Sequence, residues 1–278
     1  MNANLLALGA IALWAALAAL GVALSHVPPF LLTGLSLLIG SLIALPLSRF
    51  DWRQWKVPRS TLALGVYGLF GFHFLLFIAL RHAPPVQANL VNYLWPLGIV
   101  VMAPLFLPGV SLTARHMLAA LIGFAGAALA ILGRGGSGEA VWAWGYIPAL
   151  ASAFIWASYS LLTKRITTFP TAAIGSFALV SGALSLVCHV ALEPSVPLSG
   201  QDWALIALLG LGPLGGAFFL WDAALKRGDA RQIGVLSFLT PLLSTLTLLA
   251  VRGEWPNASV AIASVMIIGA AVMATRNP

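Results

Sequence analysis

The chain has 278 residues, of which 60% are hydrophobic and only 8% charged, and it carries a formal net charge of +7 at pH 7. Soluble domains carry about a quarter charged residues, so this composition excludes a soluble protein and predicts a surface that faces lipid. The single cysteine, Cys188, excludes an intramolecular disulfide and a cysteine-based metal site. We expect neither a metal nor a cofactor.

Ten apolar runs follow one another along the chain, each long enough to cross a membrane as a helix. Proline, glycine and charged residues mark the breaks between them. The predicted fold is therefore an all-α integral membrane protein embedded in the lipid bilayer. The predicted spans are residues 3–24, 29–48, 60–81, 85–107, 112–132, 143–163, 170–192, 203–225, 230–250 and 257–275.

Basic residues near the ends of these runs predict the orientation, because cytoplasmic loops are enriched in Lys and Arg. If the N-terminus is inside, the outer loops hold only Arg81, Arg134 and Arg252. The inner loops then hold Arg49, Arg53, Lys56, Arg59, Arg115, Lys164, Arg165, Lys226, Arg227, Arg231 and Arg276. We expect both termini in the cytoplasm and the chain in the cytoplasmic (inner) membrane. This asymmetry explains the net charge without a nucleic-acid partner.

Short motifs recur 142 to 145 positions apart, which predicts an internal repeat. The recurring pairs are Trp14-Ala15 with Trp156-Ala157, Ala79-Leu80-Arg81 with Ala224-Leu225-Lys226, Pro96 with Pro241, and Gly126-Ala127-Ala128 with Gly269-Ala270-Ala271. The predicted repeats are residues 1–137 and 138–278, with five spans each. An odd number of spans makes the second repeat enter the membrane from the opposite side. Inverted repeats around a central cavity are typical of transporters that alternate access to a midplane site.

Polar and aromatic side chains inside the spans are the candidates for lining such a cavity, since polar groups are costly elsewhere in a membrane. On the fourth span, Asn89, Asn92 and Tyr93 share one helix face with Pro96. The alternative is that these amides only bond neighbouring helices. Pro96 and Pro241 are expected to kink their helices and act as hinges. The predicted lining residues are Trp14, His73, Phe77, Asn89, Asn92, Tyr93, Trp95, Trp156, Tyr159 and Trp221.

Two residues are candidates for coupling transport to protons. Asp222 is the one acidic residue within the predicted spans, and His73 is the other candidate. Lys226 stands four residues after Asp222, so an interfacial ion pair is the favoured interpretation of this carboxylate. His73 is equally well explained as a hydrogen-bonded packing residue.

The charge pattern also restricts the substrate. The predicted spans hold no Lys or Arg away from their ends, which excludes a phosphate-bearing solute. No carboxylate lies at their centre to hold a strongly cationic drug. A neutral or zwitterionic solute with an apolar or aromatic body fits best. The alternatives are export of other small apolar metabolites or drugs, and a passive channel.

An intramembrane enzyme is a further alternative. Ser181 and His189 share the seventh span, but eight residues put them about 12 Å apart along one helix. A nucleophile and its base need hydrogen-bond reach, so an enzyme is disfavoured.

The ten spans and paired motifs resemble the EamA-type exporters of the drug/metabolite transporter superfamily. The resemblance covers essentially the whole chain and rests on Trp14, Trp156 and the paired Ala-Leu-basic and proline motifs, with Gly253-Glu254 present in the second repeat alone. The run from Asn89 to Pro96 is most similar to members that export aromatic amino acids. The resemblance implies export of amino acids and related metabolites, a basket of helices around a cavity, and peripheral fifth and tenth spans. Four-span relatives couple transport to protons through a glutamate in the first span, and the first predicted span of this chain has no glutamate. Proton-coupled transport and facilitated transport are therefore both open alternatives. The oligomeric state is open as well.

Overall fold

The computed structural model describes residues 2–132 and 142–275, and all regular structure in those ranges is helical. The predicted repeat boundary between residues 137 and 138, and the basic residues Arg134 and Arg276, lie outside the described residues. The described residues form ten helices long and apolar enough to cross a membrane: Ala3–Ala23, Pro29–Leu47, Arg59–His82, Pro85–Phe106, Ala114–Leu132, Tyr146–Arg165, Thr171–Leu192, Gly200–Arg227, Ala230–Val251 and Ala258–Thr275. We number them span 1 to span 10. The predicted spans are confirmed, and their ends agree within three residues.

Spans 5, 6 and 10 are continuous α-helices, and the other seven are built from shorter segments. The segments are Ala3–Ala15 and Leu17–Ala23; Pro29–Ser41 and Ala44–Leu47; Arg59–Val66, Tyr67–Gly71 and Phe72–His82; Pro85–Asn92 and Leu94–Phe106; Thr171–Ala173 and Ile174–Leu192; Gly200–Leu211, Gly212–Gly216 and Ala217–Arg227; Ala230–Leu236 and Leu239–Arg252. Thr171–Ala173 is a 3₁₀ turn, as is Trp52–Trp55 between spans 2 and 3.

Spans 3 and 8 each contain one π-helical turn at equivalent positions of the two repeats. The turns are Tyr67–Gly71 and Gly212–Gly216, 145 residues apart. Both begin and end among glycines, which let the backbone approach a neighbour closely. A Cβ at Gly68 would lie 2.4 Å from the ring of Tyr159, and a Cβ at Gly215 would lie 2.7 Å from the Cα of Gly40. Both π-helical turns therefore lie where a neighbouring helix approaches the backbone closely.

Spans 4 and 9 are interrupted just before their prolines. Span 4 breaks at Tyr93, three residues before Pro96, and span 9 breaks at Ser237 and Phe238, just before Pro241. A proline has no N–H for the carbonyl four residues earlier, and its ring crowds that carbonyl. In span 4 that carbonyl belongs to Asn92, so the interruption lies where the missing bond predicts it.

The contacts between spans follow a two-fold pattern. Span 1 packs on spans 8 and 9, as span 6 packs on spans 3 and 4. Span 2 contacts span 8 as span 7 contacts span 3, while spans 2 and 7, and spans 5 and 10, contact their own counterparts. Exchanging each span with the one five places along leaves this pattern unchanged. It is consistent with the predicted inverted repeat, whose two halves contact each other through spans 1, 3, 4, 6, 8 and 9 and through the span pairs 2 and 7 and 5 and 10.

Candidate functional site

A cavity of about 250 Å³ lies between the two repeats. Its wall takes side chains from spans 1, 2, 3 and 4 on one side and from spans 6, 8 and 9 on the other. This volume is just below the lower limit of about 300 Å³ that is typical of ligand pockets. The cavity therefore has room for a single small molecule. The structure places eight of the ten predicted lining residues on this wall: Trp14, His73, Phe77, Asn89, Asn92, Tyr93, Trp95 and Trp156.

Trp14, Trp95 and Trp156 form the floor of the cavity, and Trp221 packs against them from behind. We call these four residues, from four spans, the tryptophan cluster. Every pair of their ring centroids is separated by 5.2 to 6.4 Å. Most of these pairs meet edge to face, the geometry that the quadrupole of aromatic rings favours. The repeat partners Trp14 and Trp156 are 5.8 Å apart. In this cluster, side chains from both repeats contact each other beside the cavity.

Tyr159 and Trp221, the other two predicted lining residues, lie next to the wall rather than on it, and their contact with a substrate stays a prediction. Trp221 lies behind the other tryptophans, and its indole Nε1 donates to Ser160 Oγ at 3.1 Å. Tyr159 packs against Trp156 at 5.3 Å and against the backbone of Gly68. They support the floor from below.

The two polar side chains at the centre of the wall are held in defined orientations. Ser152 Oγ donates to Asn92 Oδ1 at 2.8 Å, which links span 6 to span 4. His73 Nδ1 lies 2.6 Å from the carbonyl oxygen of Leu69, inside the π-helical turn of span 3. A carbonyl oxygen only accepts, so Nδ1 carries the hydrogen of this bond. His73 is therefore both a hydrogen-bonded residue and a wall residue, and its role in proton coupling stays a prediction.

The cavity extends toward one end of the helix bundle. Gly21 near the end of span 1, Leu32 near the start of span 2 and Asn89 near the start of span 4 belong to its wall. These positions lie beside residues 24–28 and 83–84, which join spans 1 and 2 and spans 3 and 4. The predicted orientation assigns this end to the outside.

The opposite end is closed by hydrogen bonds between spans 6 and 8. The Lys164 ammonium, at the end of span 6, donates to the carbonyl oxygens of Leu225 and Gly228. The Lys226 ammonium donates to the carbonyl oxygen of Phe169 at 2.7 Å and lies 3.8 Å from the centre of its ring. Each cation bridges the end of span 8 to the end of span 6 or to the residues that follow it.

Asp222 forms the ion pair that its spacing suggested. Its Oδ2 lies 2.6 Å from Lys226 Nζ and accepts a hydrogen bond from Thr171 Oγ1 at 2.7 Å. The residue is buried beneath the tryptophan cluster and is not on the cavity wall. Its position beside the closed end is that of a structural contact, and a role in proton coupling stays a prediction.

The proline pair also lies off the central wall. Pro96 is buried and is not a wall residue, whereas the neighbouring Trp95 is. Pro241 lines a second cavity of about 350 Å³, and Asn89 and Tyr93 belong to the walls of both. The interruptions of spans 4 and 9 are present in the structure; their movement as hinges stays a prediction.

The serine and histidine considered for an enzyme do not meet. His189 Nδ1 lies 3.1 Å from Glu193 Oε2, while Ser181 Oγ is buried and has no hydrogen-bond partner among the described residues. Glu193 also accepts from the backbone N–H of Phe30 and from Arg81 Nη2 at 2.7 Å. His189 thus belongs to a carboxylate network that fixes the start of span 2.

Sequence reasoning missed the contribution of span 2 and most aliphatic wall residues. Leu32 and Thr33 lie near the start of span 2. Apart from the Thr33 hydroxyl, nothing in the sequence distinguishes them from residues that face lipid. Phe218 and Thr240 also belong to the wall. Thr240 stands 145 positions after Trp95, and that offset could have identified it.

Comparison with known proteins agrees with this architecture. The sequence pattern described as the EamA-like transporter family matches residues 1–132 and 143–276. The aromatic amino acid exporter YddG of Ancylobacter novellus is 42% identical over 286 residues, which cover 99% of this chain and 97% of that protein. A probable amino-acid metabolite efflux pump of Salmonella typhimurium is 29% identical over 84% of this chain and 81% of that protein. One solved crystal structure matches with a TM-score of 0.92 and 41% identity, over 98% of this chain and 95% of that one.

Within the described residues, ten membrane-capable helices surround a central cavity, and this architecture together with the matches defines the class of multi-pass membrane transporters. The chain belongs to the EamA-like transporter family of the drug/metabolite transporter superfamily. The resemblance seen in the paired motifs is confirmed.

Proposed function

We propose that the protein exports aromatic and other neutral amino acids across the cytoplasmic membrane by alternating access. The observation that carries this proposal is the cavity between the repeats, whose floor is part of the tryptophan cluster and whose polar groups are uncharged amide and imidazole side chains. The relative that shares 42% of its residues is named as an aromatic amino acid exporter. Both termini are proposed to be cytoplasmic, and the protein to act as a transporter rather than an enzyme.

The wall chemistry suits an amino acid better than a charged drug. Aromatic faces bind an apolar side chain and attract an ammonium group. Asn92 and His73 supply a hydrogen-bond donor and an acceptor without a net charge. The wall holds no Lys, Arg, Asp or Glu among the described residues, so a zwitterion whose charges balance fits without a counter-ion.

The closed and open ends define one state of the transport cycle. The bonds of Lys164 and Lys226 close the predicted cytoplasmic end, so this state faces outward. Export requires an inward-facing state in which these bonds break and the opposite end closes. The interruptions of spans 3, 4, 8 and 9 lie between the two ends and are the proposed bending points.

The test is flux of L-Phe, L-Trp and L-Leu in proteoliposomes, with and without an imposed pH gradient. We expect saturable flux, and Trp156→Ala should raise the half-saturation concentration roughly thirtyfold, since a buried aromatic side chain contributes about 2 kcal/mol. Trp52→Ala is the matched control, because Trp52 is 60% exposed in the turn between spans 2 and 3. Flux that is faster under a pH gradient would assign proton coupling.

Absence of saturable flux for all three amino acids would contradict the proposal. Flux that rises linearly with concentration would instead indicate a passive channel.

A further inference from the structure

Two indole N–H groups of the tryptophan cluster face the cavity without an acceptor. Trp14 Nε1 donates to the carbonyl oxygen of Pro213 at 3.1 Å, and Trp221 Nε1 donates to Ser160. Trp95 and Trp156 are just as deeply buried, 5% and 3% exposed, yet within residues 2–132 and 142–275 neither indole has a hydrogen-bond acceptor. Neither nitrogen is sealed from open space. Because both N–H groups are accessible from the cavity and donate to no protein atom, each can donate to an oxygen of a bound molecule.

A third donor is oriented by a residue outside the wall. Ser152 is fully buried on span 6, and its hydroxyl hydrogen is shared between Asn92 Oδ1 at 2.8 Å and the carbonyl oxygen of Ala149 at 2.7 Å. With its oxygen held by Ser152, the Asn92 amide is left with its NH₂ group toward the cavity. Asn92 and Trp95 stand three residues apart on either side of the break in span 4, so they project into the same space.

His73 supplies the complementary group. Because its Nδ1 hydrogen is donated to Leu69, the neutral ring has Nε2 left as an acceptor. The wall thus offers donors on spans 4 and 6 and an acceptor on span 3. This is the pattern that the carboxylate and ammonium of an amino acid require.

We propose that Asn92, Trp95 and Trp156 form a carboxylate subsite built from uncharged N–H donors, and that Ser152 is the positioning residue that gives the Asn92 amide its donor orientation. The inference rests on the proposed function and specifies how its substrate lies in the cavity. Fixed dipoles in a water-poor site stabilise a negative charge without moving on binding. Since no cation holds the carboxylate, the substrate can also be released.

The test measures equilibrium binding to the detergent-solubilised protein by quenching of tryptophan fluorescence, which does not depend on transport. Three probes separate the polar groups: L-Phe, L-phenylalaninamide, which lacks the carboxylate, and 3-phenylpropionate, which lacks the ammonium. Ser152→Ala should weaken binding of L-Phe and 3-phenylpropionate about tenfold to a hundredfold, the usual effect of losing one oriented hydrogen bond to a charged group. Binding of L-phenylalaninamide should change less than twofold.

Three variants make the interpretation specific. Ser152→Thr retains a hydroxyl and should restore binding. Asn92→Asp places a like charge beside the carboxylate, so it should abolish binding of L-Phe and 3-phenylpropionate and preserve that of the amide. Ser158→Ala is the matched control, because Ser158 is a buried serine of the same span whose hydroxyl contacts Tyr67 and not a wall residue.

Equal weakening of all three probes by Ser152→Ala, or weakening of the amide alone, would overturn the subsite. So would a wild-type protein that binds L-Phe and its amide equally tightly, even if it transports L-Phe. Binding of L-Phe with the expected variant pattern but without flux would contradict the export proposal and support the subsite.

Discussion

Single residues decide how the closed end is held together. Asp222 and Lys226 are both largely buried, and their ion pair is completed by Thr171 and by the carbonyl oxygen of Phe169. In such surroundings each charge depends on its partner, because neither can be solvated if the other is removed. Each charge therefore offsets the desolvation cost of the other, and the pair adds little net free energy of folding.

The first prediction is that Asp222→Leu and Lys226→Met each lower the free energy of unfolding by about 3 kcal/mol, since each leaves a buried charge unpaired. The double variant should be more stable than the sum of the single effects implies. Thermal unfolding in detergent measures this, with Asp51→Asn as the exposed control. Strictly additive losses would contradict the pairing.

At the scale of the element, the π-helical turns of spans 3 and 8 are the features that shape the cavity. Each turn provides a backbone carbonyl to a wall side chain: Leu69 to His73 and Pro213 to Trp14. π-Helical turns are rare and occur mainly at functional sites. Here they orient one polar and one aromatic residue, and their glycines allow the neighbouring spans to approach.

The second prediction concerns the π-helical turn of span 8. A Cβ at Gly215 would lie 2.7 Å from the Cα of Gly40 and even closer to the carbonyl oxygen of Gly210, so Gly215→Ala must push spans 2 and 8 apart. We expect a loss of about 1–3 kcal/mol in the free energy of unfolding, seen as a lower midpoint of thermal unfolding.

Gly269→Ala in span 10 is the matched control for this substitution. A Cβ at Gly269 meets nothing within 4 Å, and alanine favours a helix over glycine by about 1 kcal/mol. This variant should be unchanged or slightly more stable. A Gly215→Ala protein as stable as the wild type would show that the π-helical turn tolerates a wider spacing.

At the scale of the whole molecule, two repeats with matching interruptions enclose a wall that is not symmetric. Spans 3 and 8 share their π-helical turns, and spans 4 and 9 share their breaks. Span 1 is broken at Ala16, whereas span 6, its counterpart, is continuous. The wall polar groups Asn89 and Asn92 come from one repeat alone. The features that the two repeats share build the scaffold, and the residues that differ between them provide the amide groups of the wall.

The third prediction is the orientation. In a Cys188→Ser background, a cysteine introduced at exposed Ser25 should react with a membrane-impermeant maleimide in intact cells. A cysteine introduced at exposed Arg53 should react only after the membrane is permeabilised, because the basic loop between spans 2 and 3 is expected inside. Labelling in the reverse order would invert the orientation and make this structure inward-facing.

Much of the fold was predictable because a membrane imposes simple rules. Apolar runs of fixed length locate the spans, and the proline at position 96 locates an interruption through its missing N–H. The position of Trp14 on the wall followed from its repeat partner Trp156. By contrast, Leu32 and Thr33 gave no signal, since an aliphatic wall residue looks the same as one that faces lipid.

Sequence alone determined the ten spans, the repeat and the family, because these depend on hydrophobicity and local spacing along one chain. The tertiary structure decided which side chains meet: that Trp221 donates to Ser160, that Thr171 donates to Asp222, and that Ser152 orients Asn92. These contacts join residues up to 61 positions apart on different helices. Helical spacing states which face a residue occupies, but the rotation and packing of each helix against its neighbours decide what that face touches.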